Sequence, residues 1–111
     1  MDMGYAKETT HLRVKKSLLI DKSMKELTED FLNNERETLF TLEKALKTKD
    51  FASLFTIGDQ LYGHGTSFGF PVISELGKKI ELAAIEKNVT CVDGLISCLK
   101  LYLDRISIVY A

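Results

Sequence analysis

The side chains that most often bind metals or act as nucleophiles are few in this chain, and they are scattered. The 111 residues contain two histidines, His11 and His64, and two cysteines, Cys91 and Cys98, in three separate places. A metal site needs several such ligands together, so we expect no metal and no cofactor. Of the four, only His64 lies in a conspicuous segment, the glycine-rich stretch 58–71.

No arrangement typical of an enzyme is visible. The chain has no Ser-His-Asp set, no pair of acids at a recognisable spacing and no phosphate-binding G-x-x-x-x-G-K loop. A short helical domain also leaves little room for a substrate cavity. We therefore expect that the protein is not an enzyme in the ordinary sense.

The composition is that of a soluble globular domain, with 45% hydrophobic and 28% charged residues and a net charge of -1. Lys and Arg are spread along the chain, so we expect neither a nucleic-acid nor a membrane partner. The polar start has no secretory signal, and no apolar run is long enough to span a membrane, which predicts a cytoplasmic protein. Cys91 and Cys98 are expected to be reduced thiols in or beside the core.

Apolar residues recur with helical spacing in four segments, at about 22–47, 50–67, 71–87 and 91–106. The single proline and the lack of Asn-Gly or Asp-Gly turns argue against a β-rich domain. Short connections between long helices place successive helices antiparallel. The sequence therefore predicts an all-α fold, an antiparallel up-down four-helix bundle.

The start of the chain lacks the helical spacing of the four segments, and residues at the segment boundaries indicate where the helices begin. Residues 12–20 partly alternate and then become apolar, which indicates an extended or short helical arm packed over one end of the bundle. We predict a flexible N-terminal arm over 1–17, with its first ten residues disordered, and the bundle over 18–111. The predicted helix-start signals are Asp21 or Ser23, Asp50, Pro71, and a capping box of Thr90 with Asp93.

The stretch 58–71 reads GDQLYGHGTSFGFP and resembles the functional segment of histidine phosphotransfer (Hpt) domains. These are four-helix domains of bacterial phosphorelays. The family pattern is H-x-x-K-G on the second helix, followed by small residues and a Gly-Phe pair that opens the third helix. Gly63, Gly65, Phe68–Pro71 and Ile80–Glu81 match this pattern without a gap, and the resemblance covers about residues 18–110.

In this register Asp59 occupies the phosphoacceptor position, Tyr62 occupies the lysine position, and only Gly63 is kept. The transfer reaction needs an imidazole nitrogen to attack phosphorus. A carboxylate instead brings a negative charge toward an anionic partner, at a cost of about 1–4 kcal/mol for two charges 4 Å apart, and Tyr62 supplies no cation. The resemblance implies docking of a receiver domain or a histidine kinase around these three residues without phosphate acceptance.

A sharper version of this hypothesis gives Asp59 a signalling role. Its carboxylate would stand in for a permanently charged phosphohistidine, as a fixed signal or as a competitor of a true relay domain. The simpler alternative is a solvated acid on a helix face with no role. Gly63 and Gly65 are open to two interpretations as well, close approach by a neighbouring helix or by a partner protein. Tyr62 falls on the stripe predicted to face the core, as do Phe55 and Val72.

His64 keeps several interpretations open. As the phosphoacceptor of the family pattern it would displace every later landmark by five residues, so that alignment fails. At 100° per residue it lies about 140° around the helix from Asp59. It is expected to be a hydrogen-bonded or partly solvated residue beside the third or fourth helix, with an alternative phosphoacceptor or a sensing role left open. A structural or oligomerising bundle is a further alternative for the whole chain.

Overall fold

A computed structural model of the protein describes residues 17–111. The predicted disordered start and His11 lie outside the described residues, and the boundary between arm and bundle stays a prediction. The all-α prediction with four helices is confirmed. In chain order the elements are β1 (Ser17–Ile20), a 3-10 turn (Lys22–Met24), α1 (Lys25–Lys47), α2 (Phe51–Phe68), α3 (Pro71–Ile85), α4 (Val89–Arg105) and β2 (Ser107–Tyr110).

Two of the predicted helix starts are confirmed. The Asp50 carboxylate accepts hydrogen bonds from the Ser53 backbone N–H at 3.1 Å and from the Ser53 hydroxyl at 2.6 Å, which fixes the first turn of α2. Pro71 stands at the start of α3, where its missing N–H has no intrahelical acceptor to lose. Asp21 also acts as a cap, although it caps the short 3-10 turn and not α1 itself.

The predicted capping box of Thr90 with Asp93 is wrong. The fourth helix begins at Val89, two residues before the predicted start at about 91, and its cap is Asn88. The Asn88 side-chain oxygen accepts a hydrogen bond from the Cys91 backbone N–H at 3.0 Å. Asparagine is as good a cap as threonine, and its position ahead of the first turn decides which side chain takes the role.

Both ends of the described chain form a two-stranded sheet, which the sequence only half predicted. The extended interpretation of the arm agrees with β1 at Ser17–Ile20, whereas β2 at Ser107–Tyr110 was not predicted. The strands are parallel and in register, with Leu19 opposite Val109. Four residues are too few for a clear period-2 signal, so the pairing depends on the bundle bringing the two segments together.

The helices α2 and α3 approach closely through their glycines. A Cβ built on Gly58 would lie 2.8 Å from the Gly77 carbonyl oxygen, and one built on Gly65 would lie 2.4 Å from the Ser74 nitrogen. Because the early part of α2 meets the late part of α3 and the reverse, this pair runs antiparallel. The largest fully buried side chains of the core are Phe70, Leu42, Leu54, Leu61, Ile73, Ile80, Leu99, Leu103 and Val92.

The close approach of α2 and α3 also corrects the predicted core. Phe55, Tyr62 and Val72 were assigned to the buried stripes, but they are exposed by 39%, 45% and 40%. Glycines take the contact line between the two helices, so the bulky neighbours lie on the flanks. Cys91 and Cys98 are free thiols on the exposed side of α4, and their predicted place in or beside the core is wrong.

Candidate functional site

One exposed stripe of α2 carries the residues that the sequence selected. Phe55, Asp59, Tyr62 and Thr66 are four, three and four residues apart, so they lie on one side of the helix. All four are exposed, and Asp59 is in the middle of α2. Gly63 lies beside the stripe, so the three predicted docking residues are together. We call the surface formed by Phe55, Asp59, Tyr62, Gly63 and Thr66 of α2 with Glu75 and Lys78 of α3 the α2–α3 face.

The neighbouring helix brings a positive charge to this face. The Lys78 ammonium lies 5.5 Å from the centroid of the Tyr62 ring, within the range of a cation–π contact. It also lies 3.4 Å from a carboxylate oxygen of Glu81. Tyr62 itself supplies no cation, but α3 brings the Lys78 ammonium to the Tyr62 ring through space, which the sequence reasoning did not predict.

A small hydrogen-bond network joins α2 to α3 at the end of the α2–α3 face that lies nearest the C-terminus of α2. The Ser74 hydroxyl donates to the Tyr62 carbonyl oxygen at 2.9 Å, and the Thr66 and Ser74 hydroxyl oxygens are 2.9 Å apart. These bonds join α2 to α3 just below the exposed side chains. An open groove of about 440 Å³ follows, lined by Tyr62, Gly65, Thr66, Gly69, Pro71, Ser74 and Glu75.

The two glycines of this segment have different roles. Gly65 is buried against α3, and an added Cβ would lie 2.8 Å from the Phe70 carbonyl oxygen as well as 2.4 Å from the Ser74 nitrogen. A Cβ on Gly63 would meet no atom within 4 Å. Gly65 is therefore needed for helix packing, whereas Gly63 leaves open space beside Asp59.

His64 lies on the other flank of α2 and contacts α1. Its Nδ1 atom is 3.7 Å from Oε2 of Glu35, and the His64 side chain is 56% exposed. The expectation that it lies beside the third or fourth helix is wrong, because its ring lies beside Glu35 of the first helix. Asp59 and His64 are about 140° apart around α2.

Glu35 is a functional candidate that the sequence reasoning missed. It is only 2% exposed, and its Oε1 atom has no hydrogen-bond partner within residues 17–111. Burial raises the pKa of the Glu35 carboxyl, and His64 partly opposes this rise. The helical period of the sequence could have identified Glu35 as buried. It lies four residues after Phe31 and four residues before Leu39, and therefore on the buried stripe of α1.

The remaining candidates do not form a site. Within residues 17–111, no group of three or more His, Cys, Asp or Glu side chains could hold a metal ion. No helix in this part of the chain has both the length and the apolar content that crossing a membrane requires. Asp59, Tyr62 and Gly63 are exposed, so the face around Asp59 is an open surface.

Comparison with known proteins identifies one family. The family model for the Hpt domain matches residues 26–108, which is most of the chain. The matched range contains all four helices apart from the first residue of α1 and includes the whole α2–α3 face. No curated protein and no solved structure shows a significant match to the chain.

Proposed function

Because the chain belongs to the Hpt family, whose domains act in phosphorelay signalling, we propose that it docks a receiver domain or a histidine kinase through the α2–α3 face. In this proposal no phosphoryl group is accepted at Asp59. Hpt domains in general interact with receiver domains of response regulators and with histidine kinases.

The observation that carries the proposal is the exposed carboxylate of Asp59 in the middle of α2. It stands four residues before Gly63, at the position that the gapless family pattern gives to the histidine. A carboxylate there is exposed enough to touch a partner, but it lacks the imidazole nitrogen that attacks phosphorus. Its negative charge also opposes the approach of a phosphorylated aspartate.

The rest of the face carries charges of both signs, from Glu75 and Lys78, together with exposed apolar area. Lys78 offers a cation within reach of the same surface, and its contact with the Tyr62 ring orients it. Gly63 leaves room for the backbone of α2 to be approached closely. Phe55 and Leu82, which are 39% and 50% exposed, add apolar area near the charged centre. Such a mixture of apolar and charged groups is typical of transient interfaces.

Asp59 also has a signalling role in this proposal. Its side chain carries a fixed negative charge at the place where a relay domain carries its charge only after phosphorylation. The domain would therefore present a constant signal, or it would compete with a true relay domain for the same receiver. Lys78 supports this role, because a cation on the same face lowers the cost of bringing the Asp59 carboxylate to an acidic partner.

Binding measurements with purified receiver domains test the proposal. Isothermal titration should show micromolar binding for at least one receiver of the same organism, and Gly63→Arg should abolish it by filling the open space. Lys78→Gln should weaken binding by about tenfold, since a lost charge contact of this kind is worth about 1.4 kcal/mol. Lys100→Gln removes the same charge from an exposed position of α4, outside the α2–α3 face, and should leave the affinity nearly unchanged.

The design separates the proposed face from a general charge effect. Equal losses in the Lys78 and Lys100 variants would show that only net charge matters. Absence of binding to every receiver at high micromolar concentration would end the docking proposal, and a structural or oligomerising bundle would then be the better description.

A further inference from the structure

The two-stranded sheet at the end of the bundle has a free edge along β2. The Ala111 N–H donates to the Ile20 carbonyl oxygen at 3.0 Å, and the Ala111 carbonyl oxygen accepts from the Lys22 N–H at 3.0 Å. In a paired strand the backbone groups of every second residue point to the same edge. The groups of Ala111 face β1, so the N–H and C=O groups of Ile108 and Tyr110 face the free edge.

The sheet itself carries little that protects such an edge. The strand β2 reads Ser-Ile-Val-Tyr and contains neither a charged residue nor a proline, which are the residues that usually prevent a further strand from pairing. On the outer face of the sheet, Leu19 and Val109 lie opposite each other and are 74% and 49% exposed. Because a sheet of two short strands is only marginally stable, this edge is suited to accept another strand.

An open groove of about 370 Å³ lies between β2 and α1. Ile108 and Tyr110 line it from the strand, and Glu29, Leu32 and Arg36 line it from the helix. Glu29 and Arg36 are seven residues apart, so they are separated by about 10 Å along α1. The groove therefore has an apolar centre with one charge on each side of it.

The two charges lie at opposite ends of β2. The Arg36 Nη2 atom is 3.3 Å from the carbonyl oxygen of Leu103, which precedes the start of β2. The Lys25 ammonium, one turn before Glu29 on α1, lies 5.6 Å from the ring centroid of Tyr110, the last residue of β2. Arg36 is therefore near the start of the strand and Glu29 is near its end. Neither of them forms a salt bridge with another residue of 17–111.

We propose that the free edge of β2 binds the β2 strand of a second copy of this chain, antiparallel and across a two-fold axis, to give a four-stranded sheet. The backbone of Ile108 pairs with that of Tyr110 of the second copy, and the reverse. A two-fold axis brings the start of each strand to the end of the other. Arg36 of each copy then faces Glu29 of the other, so the charges are complementary, whereas a parallel pair would bring like charges together. The contact is small, so we expect micromolar affinity.

This self-association is independent of the proposed docking function. The residues that line the groove belong to α1 and to the segment 106–110, and none of them belongs to the α2–α3 face. A protein without any receiver partner can still form the dimer, and a strictly monomeric protein can still bind a receiver. The two proposals can therefore fail separately.

Exchange of the two charges tests the proposal. Sedimentation equilibrium of the whole chain from about 5 to about 500 µM, with a reductant that keeps the exposed thiols reduced, should show a monomer and a dimer. Arg36→Glu alone and Glu29→Arg alone should each weaken dimerisation by about tenfold or more, because like charges then meet at both ends. The double variant should recover the native affinity to within about threefold. Circular dichroism of each variant checks that it folds.

Amide hydrogen exchange of the native chain decides the question even where a variant does not fold. Exchange at the Ile108 and Tyr110 N–H groups, followed by NMR, should slow as the protein concentration rises. The Leu19 N–H is the matched control, because Ile20 faces β2 and Leu19 therefore faces the other edge of the sheet. A monomer at every concentration, protection of Leu19 in place of Ile108 and Tyr110, or a folded double variant that does not recover dimerisation would overturn the proposal. A dimer that the single charge reversals leave unchanged would overturn it as well.

Discussion

Replacement of Gly65 by alanine tests the close packing of α2 on α3 that creates the candidate face. The added methyl group would lie 2.4 Å from the Ser74 nitrogen and 2.8 Å from the Phe70 carbonyl oxygen. Both are backbone atoms, which cannot rotate away. The two helices would have to separate by about 1 Å to restore ordinary contact distances, which begin near 3.4 Å.

The magnitude follows from two opposing effects. Overpacking against a rigid neighbour costs about 3 kcal/mol, the upper end of the usual range. Alanine in place of glycine inside a helix gains about 0.5–1 kcal/mol. We therefore expect Gly65→Ala to lose about 2 kcal/mol of unfolding free energy, which for a domain of this size lowers Tm by about 8–16 °C.

Gly63 is the matched control, two residues earlier in the same helix. A methyl group there meets no atom within 4 Å, so only the helix gain remains. Gly63→Ala should raise the unfolding free energy by about 0.5–1 kcal/mol. Urea unfolding followed by circular dichroism measures both variants. The reasoning would be refuted if Gly65→Ala were as stable as Gly63→Ala, because α2 and α3 would then not meet at Gly65.

Three further predictions concern stability. Burial raises the folded-state pKa of Glu35 above its usual value of 4.5, so the advantage of the native chain over Glu35→Gln should be greatest below about pH 4.5 and fall as pH rises through the folded-state pKa. Urea unfolding between about pH 4 and 7 checks this, and a difference that grows with pH would show that the ion pair with His64 outweighs burial. Asp50→Ala should cost about 1 kcal/mol, because the Ser53 N–H loses its acceptor. Asn88→Ala should cost a similar amount at α4, and unchanged Tm values in both variants would contradict the assigned caps.

The regular features of the fold could be predicted because they depend on local sequence. The 3.6-residue period marks each helix, and Asp50 and Pro71 mark starts through interactions within one turn. The glycine pattern also placed Asp59, Tyr62 and Gly63 together, since residues three and four apart on a helix share a face.

The features that could not be predicted depend on contacts between distant segments. The position of Lys78 over Tyr62 follows from how closely the glycines let α3 approach α2, and no local pattern encodes that distance. The β2 strand needs β1 beside it to form. Glu35 could have been found from the stripe of α1, but its partner His64 required the rotation of α2 relative to α1.

The rotation of α2 also explains why its predicted core was partly wrong. Leu54 and Phe55 are adjacent apolar residues, as are Leu61 and Tyr62, so the period alone does not say which of each pair is buried. Gly58 and Gly65 settle the choice in the structure, because they pass closest to α3. The buried members are Leu54 and Leu61, and the aromatic members become part of the exposed face.

The central claim is that the docking face is kept while the transfer chemistry is lost at Asp59. The most direct measurement is transfer of labelled phosphate from receiver domains that bind the protein. The parent protein for this assay carries both His11→Gln and His64→Gln, so that it has no histidine. The parent protein should bind the receiver but accept no phosphate. Adding Asp59→His to it should produce acid-labile phosphate on the protein. A further Tyr62→Lys substitution should add little, because Lys78 already lies near Tyr62. Phosphate on the parent, or a bound Asp59→His variant that still accepts none, would contradict the account.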